Sequence, residues 1–353
     1  MPFLVKDKVS EPLYAVVPYF NPWRWKSREK HTQRALKHFH DSGAVIVLVE
    51  IGFNRRGLQY ADSGLDGTLA DCSIHGEHRH RYIALHTKDE LWLKENAINI
   101  GVQNMPYDWQ QVCWLDSDVS FIRPNWVGET IHKLQHYAFI QMFSQARDLA
   151  PNSEMLPEDY PHANGVSFLR SWSDGDLIEN LKRKVPTNTA AAGDPHYGLF
   201  GARRVFPGLA WACTRKAWDE VGGLVDFAVW GGADWSMSHA LIGLRASMMH
   251  SGLHPNYKSR MNAWADRADK YIRRNVGTME GAIFHAWHGK KTVRGYGDKH
   301  RILADLQFDP TRHLKRDAAG LWQLDDDGTE AYIKLRDSFR KIAKERNEDS
   351  IDV

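Results

Sequence analysis

Short apolar runs alternate with amphipathic segments along most of the chain. Runs rich in β-branched and aromatic residues predict strands at residues 13–19, 44–51, 82–85, 112–115 and 138–143. Between them, apolar residues recur at helical spacing, as in the segment that follows Ser27, a predicted N-cap, and in the segment from Asp89 to a predicted stop at Gly101. Because strands that alternate with helices form parallel sheets covered on both faces, we predict an α/β protein with a mainly parallel central sheet flanked by helices.

Two segments interrupt this alternation. Residues 54–81 are polar and rich in Gly and His, and residues 171–204 lack apolar periodicity, so both predict long loops. From residue 205 the pattern resumes with a strand at 209–213, a helix that ends at Gly222, a helix near Asp234 and a last strand at 281–287. We therefore expect a Rossmann-like half at 1–140, a second half at 141–300 and a helical tail at 301–353.

The composition narrows the class of protein. A hydrophobic content of 42% and a charged content of 25% are typical of a globular enzyme, and the net charge of +2 neither requires nor excludes a polyanionic partner. The three cysteines, Cys72, Cys113 and Cys213, form no Cys-x-x-Cys pair, which disfavours a disulfide framework and a zinc knuckle. No secretory signal and no apolar run of about 18 residues occurs, so we expect a cytoplasmic protein without a membrane anchor.

Two acidic residues directly follow one of the predicted strands, a short apolar run. Asp116 and Asp118, separated by Ser117, come after the run from Val112 to Leu115. Two carboxylates at the end of a buried strand are costly unless a positive charge lies between them, and oxygen ligands of this kind suit Mg²⁺ or Mn²⁺. The alternative is a surface turn, since Asp-Ser-Asp is also favourable in turns.

A series of short motifs supports the first interpretation. They are residues 92–101 (WLKENAINIG), 114–118 (WLDSD), 123–126 (RPNW), 207–212 (PGLAWA), 221–223 (VGG), 231–234 (GGAD), 285–289 (HAWHG), 294–296 (RGY) and 308–310 (FDP). In this order they resemble the motifs of the GT-A family of nucleotide-sugar glycosyltransferases, and more narrowly those of a group of glycosyltransferases from bacteriophages and bacteria. The resemblance covers most of residues 13–309, whereas 171–204 has no counterpart in the family.

The resemblance implies a metal site. Asp116 and Asp118 correspond to the family's Asp-x-Asp motif, which binds Mn²⁺ or Mg²⁺ beside the phosphates of the donor. A late histidine often completes such a site, and both His285 and His288 are candidates. Strand alternation would point the two to opposite faces, and the cationic corner after His288 slightly favours that residue.

The resemblance also implies a donor site for a nucleotide sugar, with a UDP-sugar as the expected donor, in the half at 1–140. The donor-binding residues expected from it are Pro18, Tyr19, Glu50, Lys94, Asn96, Asn99, Asp116, Lys290 and Arg294. Two alternatives stay open at this stage. Glu50 could instead form a buried ion pair with Arg55, and the two asparagines could simply be polar residues of a helix surface.

The acceptor side is expected in the half at 141–300. Trp230 could stack on a sugar, while Gly231 and Gly232 let the backbone approach the acceptor. Asp234 is the candidate base for the acceptor hydroxyl, because Ala233 stands where many family members have Glu. Asp234 could also be the N-cap of the following helix, a role compatible with that of a base. Core packing is the alternative for Trp230 and the preferred interpretation for Trp211.

The expected activity is transfer of a sugar from a nucleotide sugar to an acceptor hydroxyl. The narrower resemblance suggests hydroxylated bases of phage DNA as acceptor. The basic residues between Lys258 and Arg316 could follow a phosphate backbone or could equally form a solvated face. The alternatives are a surface glycan or protein acceptor, or a non-catalytic protein that binds nucleotide sugars. The pattern does not indicate an oligomeric state.

Overall fold

The structure is a computed structural model, and it describes residues 11–54, 57–60, 73–74, 78–156, 164–182, 199–200, 203–289, 298–325 and 330–349. The strands are β1 (Leu13–Phe20), β2 (Val45–Phe53), β3 (Ser73–Ile74), β4 (His78–Arg79), β5 (Arg81–Thr87), β6 (Gln111–Leu115), β7 (Val119–Phe121), β8 (Phe139–Gln141), β9 (Gln145–Asp148), β10 (Asn164–Ser167), β11 (Leu199–Phe200), β12 (Arg203–Phe206), β13 (Ala210–Thr214), β14 (Val276–Thr278), β15 (Ala282–His285), β16 (Leu314–Arg316) and β17 (Trp322–Leu324).

The helices lie between these strands and in the C-terminal region. They are α1 (Lys26–Asp41), α2 (Lys94–Gln103), α3 (Trp126–Leu134), α4 (Phe168–Ser173), α5 (Asp176–Lys182), α6 (Arg215–Val221), α7 (Ala233–Leu241), α8 (Pro255–Arg267), α9 (Asp298–Asp305), α10 (Pro310–His313) and α11 (Glu330–Arg346). A short 3₁₀ turn (Arg245–Ser247) and a π-helical turn (Ala268–Ile272) follow α7 and α8. None of the helices in the described part of the chain combines the length and the hydropathy that a bilayer crossing requires.

A seven-stranded sheet forms the centre of the molecule, in the order β14-β8-β13-β6-β1-β2-β5. Strands β6, β1, β2 and β5 are parallel, and β13 runs antiparallel to both β6 and β8. Alternate residues of β1 belong to two separate apolar clusters, one on each face: Tyr14 and Val16 on one, Leu13, Ala15 and Val17 on the other. Burial on both faces explains the continuous apolar runs, and it confirms the predicted α/β fold with a mainly parallel sheet flanked by helices.

A second, six-stranded sheet has the order β11-β12-β10-β9-β15-β7. In it β15 runs parallel to β9 and antiparallel to β7. Strand β7 follows β6 of the central sheet after a tight turn, so the two sheets meet at the end of β6. The division of the chain into two halves at residue 140 stays a prediction. Strand β7, from before residue 140, and β15, from after it, belong to the same sheet.

Several predicted boundaries differ from the structure. Ser27 lies inside α1, whose N-cap is Trp25, and so it is not the cap. Helix α2 continues through Gly101 to Gln103. A Cβ atom on Gly101 would lie 2.6 Å from Val16 Cγ1, which shows that this glycine permits close packing of α2 on β1 rather than ending the helix.

The segment 171–204 is not the continuous loop that was predicted. Helix α4 extends to Ser173, α5 follows at once, and β11 and β12 lie at the far end. Leu177 is fully buried and packs α5 against the rest of the protein. Each of these elements is short, however, and has too few apolar positions for a period to be visible in the sequence. Residues 183–198 and 201–202 lie outside the described part of the chain, as does most of the predicted loop at 54–81.

Candidate functional site

A cleft opens at the carboxyl ends of β1 and β6, where parallel sheets commonly bind their ligands. It encloses about 830 Å³ together with its open mouth. Of the residues expected at the donor or metal site, those that line the cleft are Pro18, Tyr19, Lys94, Asp116, Asp118 and His288. Arg28, His31, Trp92 and Glu348 also line it, and these were not anticipated from the sequence.

Asp118, His285 and His288 converge beside this cleft. Asp118 lies in the turn between β6 and β7, and its backbone carbonyl accepts a hydrogen bond from Ala286 N at 2.8 Å. Antiparallel pairing sets His285 opposite Val119, next to Asp118. The carboxylate Oδ2 of Asp118 is 3.7 Å from His285 Nε2 and 3.6 Å from His288 Nδ1. The strand ends at His285, so the predicted alternation does not extend to His288, and both rings reach the same carboxylate.

A buried carboxylate orients one of these histidines. Asp148 Oδ1 lies 2.6 Å from His285 Nδ1, because the parallel register of β9 and β15 places the two residues side by side. Since a carboxylate accepts a hydrogen bond, Nδ1 carries the proton and Nε2 presents its lone pair towards Asp118. The sequence did not indicate Asp148, which is more than 100 residues away from His285 in the chain.

The group has the chemistry of a divalent metal site. One ligand atom from each of Asp118, His285 and His288 lies within 4.8 Å of the other two. Among the described residues, Asp118 Oδ1 is buried and has no hydrogen-bond partner, which is unfavourable unless a cation neutralises it. One carboxylate and two imidazoles form a donor set that suits Mn²⁺ and related divalent ions. Of the two ions expected from the resemblance, the residues therefore fit Mn²⁺, because two imidazoles are poor ligands for Mg²⁺.

Asp116 lies outside this group of three. Its backbone N–H donates to Leu209 O at 2.9 Å, and its carboxylate Oδ1 forms an ion pair with Lys94 Nζ at the base of the cleft. Burial raises the pKa of Asp116, and the nearby charge of Asp118 adds to the effect, while Lys94 opposes it. The structure thus separates the two acids of the motif, with Asp118 beside the histidines and Asp116 on a lysine.

A narrow inner cavity shares Lys94 with the cleft, and the space between its atoms, counted together with its opening to solvent, is about 400 Å³. Asp234, Glu95 and the rings of three tryptophans, Trp114, Trp211 and Trp264, contribute to its wall. Burial lowers the pKa of Lys94 by itself, but the carboxylates of Asp116, Glu95 and Asp234 outweigh it, so that the pKa is raised and the ammonium is held charged. Carboxylates beside aromatic rings are the groups that commonly bind sugars.

Glu95 was not anticipated as a site residue. Its side chain is 4% exposed, and Oε2 accepts a hydrogen bond from Trp92 Nε1 at 3.1 Å. Burial raises the pKa of Glu95 to about 7, against the opposing effect of Lys94. The sequence contains no local signal for this, because the shift results from the burial of the helix face that carries Glu95.

The two glycines before Asp234 form a turn with positive φ angles, and Gly232 is the N-cap of the helix that follows. Gly231 and Gly232 adopt φ values of +90° and +86°, which other residues rarely adopt. Gly232 is the N-cap of α7 and Asp234 lies in the first turn, so the proposed N-cap role of Asp234 is wrong. Its carboxylate Oδ2 instead approaches Gly208, where an added Cβ would be only 2.6 Å away.

Trp230 is fully buried and does not line the cleft or the inner cavity. Its ring contacts that of Phe339 in α11 edge-on, with centroids 4.7 Å apart. Trp211 is also buried, and its Nε1 donates to Pro207 O at 2.8 Å. These contacts agree with core packing, the alternative to the acceptor-stacking role predicted for Trp230.

Glu50 lies near the cleft but binds the protein. Its carboxylate accepts hydrogen bonds from Gln59 N, from Tyr60 N at 3.0 Å and from Tyr82 Oη at 2.7 Å. These contacts hold the segment after β2 against the sheet, in keeping with a structural role. The proposed partner Arg55 is outside the described residues, as are the donor-site candidates Lys290 and Arg294.

Asn96 and Asn99 lie in α2 and bind other segments of the protein, at Trp322 and at residues 224–226. Asn96 Oδ1 accepts from Trp322 N at 2.8 Å, and Asn99 Oδ1 accepts from Leu224 N at 2.9 Å. Both side-chain amides also donate to Asp226. The structure therefore does not bring these two residues to the cleft, and their contacts fix neighbouring segments.

No protein-family model and no curated protein matches the chain. Among solved structures it is similar to the catalytic domain of Drosophila β1,4-galactosyltransferase 7 in complex with xylobiose, at 9% identity and a TM-score of 0.29, over 66% of this chain and 62% of that one. It is also similar to a candidate nucleotide-diphospho-sugar transferase from Desulfovibrio desulfuricans G20, at 11% identity and a TM-score of 0.32, over 95% and 98% of the two chains.

A third similar structure is glucosyl-3-phosphoglycerate synthase from Mycobacterium tuberculosis in complex with Mn²⁺, UDP and phosphoglyceric acid. The identity is 9% and the TM-score 0.34, over 85% of this chain and 77% of that one. The chain spans less than two thirds of the Drosophila domain. At these TM-scores the three similarities carry no argument about what this protein does.

Proposed function

We propose that the protein is a metal-dependent glycosyltransferase that moves a sugar from a nucleotide sugar, expected to be a UDP-sugar, to an acceptor hydroxyl. The observation that carries the proposal is the group Asp118, His285 and His288 at the wall of a cleft large enough for a nucleotide. These three residues would hold Mn²⁺, which accepts both imidazole and carboxylate ligands. When bound, the ion would neutralise the charge that develops on the departing nucleoside diphosphate.

The other cleft residues have distinct parts in this proposal. Lys94, whose charge is stabilised by three carboxylates, adds positive charge at the base of the cleft beside Asp116. Asp234 in the adjoining inner cavity would accept the proton of the acceptor hydroxyl as its oxygen attacks the sugar. Trp114, which lines the same inner cavity, would exclude water from the sugar.

The test measures release of UDP from a panel of UDP-sugars with Mn²⁺ and no acceptor. We expect Mn²⁺-dependent hydrolysis that falls by about 100-fold or more in Asp118→Asn and in His285→Ala. Asp108→Asn and His132→Ala, which change the same residue types at exposed positions, are the controls and should keep wild-type rates. Tight UDP binding without any hydrolysis or transfer would instead indicate a non-catalytic binding protein.

For the acceptor, we propose a hydroxylated base in DNA, on the basis of the sequence resemblance. The basic residues between 258 and 316 add little support, because Arg267 Nε donates to Val221 O at 2.7 Å and Arg273 Nε to Lys270 O at 3.0 Å. The assay incubates the protein with labelled UDP-sugars, Mn²⁺ and DNA containing hydroxymethylcytosine. Label that enters glycan or protein acceptors but never DNA would refute this acceptor and favour the surface glycan or protein alternative.

A further inference from the structure

A residue near the C-terminal end of the described chain lies inside the donor cleft. Glu348, two residues after α11, is fully buried and lines the cleft together with Arg28 of α1. Its carboxylate binds the guanidinium through both oxygens: Arg28 Nε donates to Oε2 at 2.8 Å, and Nη2 donates to Oε1. A carboxylate from a segment 320 positions away therefore occupies the cationic fork on that wall of the cleft.

The neighbouring residue anchors this segment to the start of α1. Asp349 Oδ1 accepts a hydrogen bond from Ser27 N at 2.8 Å, and Oδ2 accepts from Lys26 N at 3.1 Å. Ser27 Oγ donates to the backbone carbonyl of Glu348 at 3.0 Å. The first-turn N–H groups of α1, which Trp25 does not cap, thus obtain their partners from the C-terminal segment. Asp349 holds Glu348 in position without itself lining the cleft.

Arg28 is fixed in the cleft independently of Glu348. Its Nη1 donates to Phe20 O at 2.5 Å, at the carboxyl end of β1, and its guanidinium lies 5.1 Å from the centre of the Trp25 ring. Two N–H groups in one plane match a phosphate as well as a carboxylate, since both present paired oxygens. Asp118 lines the same cleft, so the fork lies in the space to which the proposed metal would bring a diphosphate.

We propose that Arg28 binds a phosphate group of the nucleoside diphosphate, and that Glu348 occupies this position until the donor displaces it. The inference rests on the proposed function and adds one binding residue and one internal competitor to it. A diphosphate and the Glu348 carboxylate cannot share the fork, because like charges at that distance repel. The donor therefore binds only the fraction of molecules from which the C-terminal segment has withdrawn, and this lowers its apparent affinity.

The test is calorimetric binding of UDP and of pyrophosphate, each with Mn²⁺, to the full chain. Glu348→Gln keeps the shape but removes the charge, and we expect it to tighten both ligands about tenfold. Arg28→Gln should weaken both about tenfold, and in that background Glu348→Gln should have no further effect. Glu345→Gln, an exposed glutamate at the same helix end, is the matched control and should leave both affinities unchanged.

Asp349→Asn guards against a folding defect, since the Arg28–Glu348 pair stays intact when the anchor is weakened. It should tighten both ligands in the same direction as Glu348→Gln. Hydrogen exchange of residues 330–349 should rise when UDP and Mn²⁺ are added, whereas a purely structural segment would show equal or slower exchange. Unchanged exchange together with unchanged affinities in the folded variants overturns the inference.

The two ligands separate this inference from the proposed function. If UDP binds and Asp118→Asn abolishes it, but Arg28→Gln and Glu348→Gln stay within about twofold of wild type, the inference fails and the function stands. If pyrophosphate follows the expected pattern but no UDP binds, the anion site at Arg28 stands and the nucleotide-sugar function fails. If neither ligand binds to any variant, the inference is overturned.

Discussion

Replacing Glu95 by Gln should change how the stability of the protein depends on pH. Burial raises the pKa of this carboxyl group to about 7, from an ordinary value of 4.5. Gln has nearly the same shape, and its Oε1 can still accept the hydrogen bond that Trp92 Nε1 donates to Glu95 at 3.1 Å. The variant therefore removes the titration of this position and leaves the packing in place.

The sign and size follow from the difference in proton binding. Between pH 4.5 and about 7 the folded protein keeps the proton on Glu95, whereas the unfolded chain has lost it. The stability that this group contributes is thus fully present below its unfolded pKa and is lost as the pH rises through its folded pKa. At about 1.4 kcal/mol for each tenfold change in proton affinity, the full loss is about 3 kcal/mol, of which about 2 to 3 kcal/mol falls between pH 5 and 8.

Urea unfolding at pH 5, 6, 7 and 8, with EDTA present, measures the effect. The free energy of unfolding of Glu95→Gln minus that of the wild type should increase as the pH rises. At pH 8 the variant should be the more stable protein. Glu154→Gln, which changes an exposed glutamate, should follow the wild-type curve at every pH. Parallel curves for wild type and Glu95→Gln would refute the assignment of a raised pKa to this residue.

Three further substitutions test other contacts. Asp148→Asn should weaken Mn²⁺ binding about 10- to 100-fold in a metal titration, because His285 loses its orienting carboxylate; an unchanged affinity would contradict that role. Gly101→Ala places a methyl group 2.6 Å from a β1 valine and should cost about 1 to 3 kcal/mol in urea unfolding; a gain in stability would contradict the close packing. Gly208→Ala should displace the Asp234 carboxylate and slow sugar transfer about tenfold or more, while the affinity for UDP is retained. An equal loss of transfer rate and UDP affinity would contradict the proposed role of Asp234.

Much of the candidate metal site could be predicted from the sequence. Asp118 and His288 line the cleft, and His285 lies beside them. The two histidines were expected from the family resemblance, while hydrophobic periodicity located the strands near whose ends these motifs lie. Lys94, too, was expected at the donor site and lines the cleft. Asn96 and Asn99 belong to the same helix but bind Trp322 and residues 224–226. A motif alone does not specify which face of a helix meets a ligand.

Local pattern determined the class of this protein: the alternation of apolar strands with amphipathic helices establishes an α/β chain, since period and burial are properties of neighbouring residues. Tertiary structure alone decided three features of the site. The register of β9 and β15 joins Asp148 to His285, the C-terminal segment brings Glu348 to Arg28, and burial of α2 raises the pKa of Glu95. The first two features depend on residues far apart in the chain, and the third depends on exclusion of water by the whole fold. Neither kind of interaction produces a periodic pattern in the sequence.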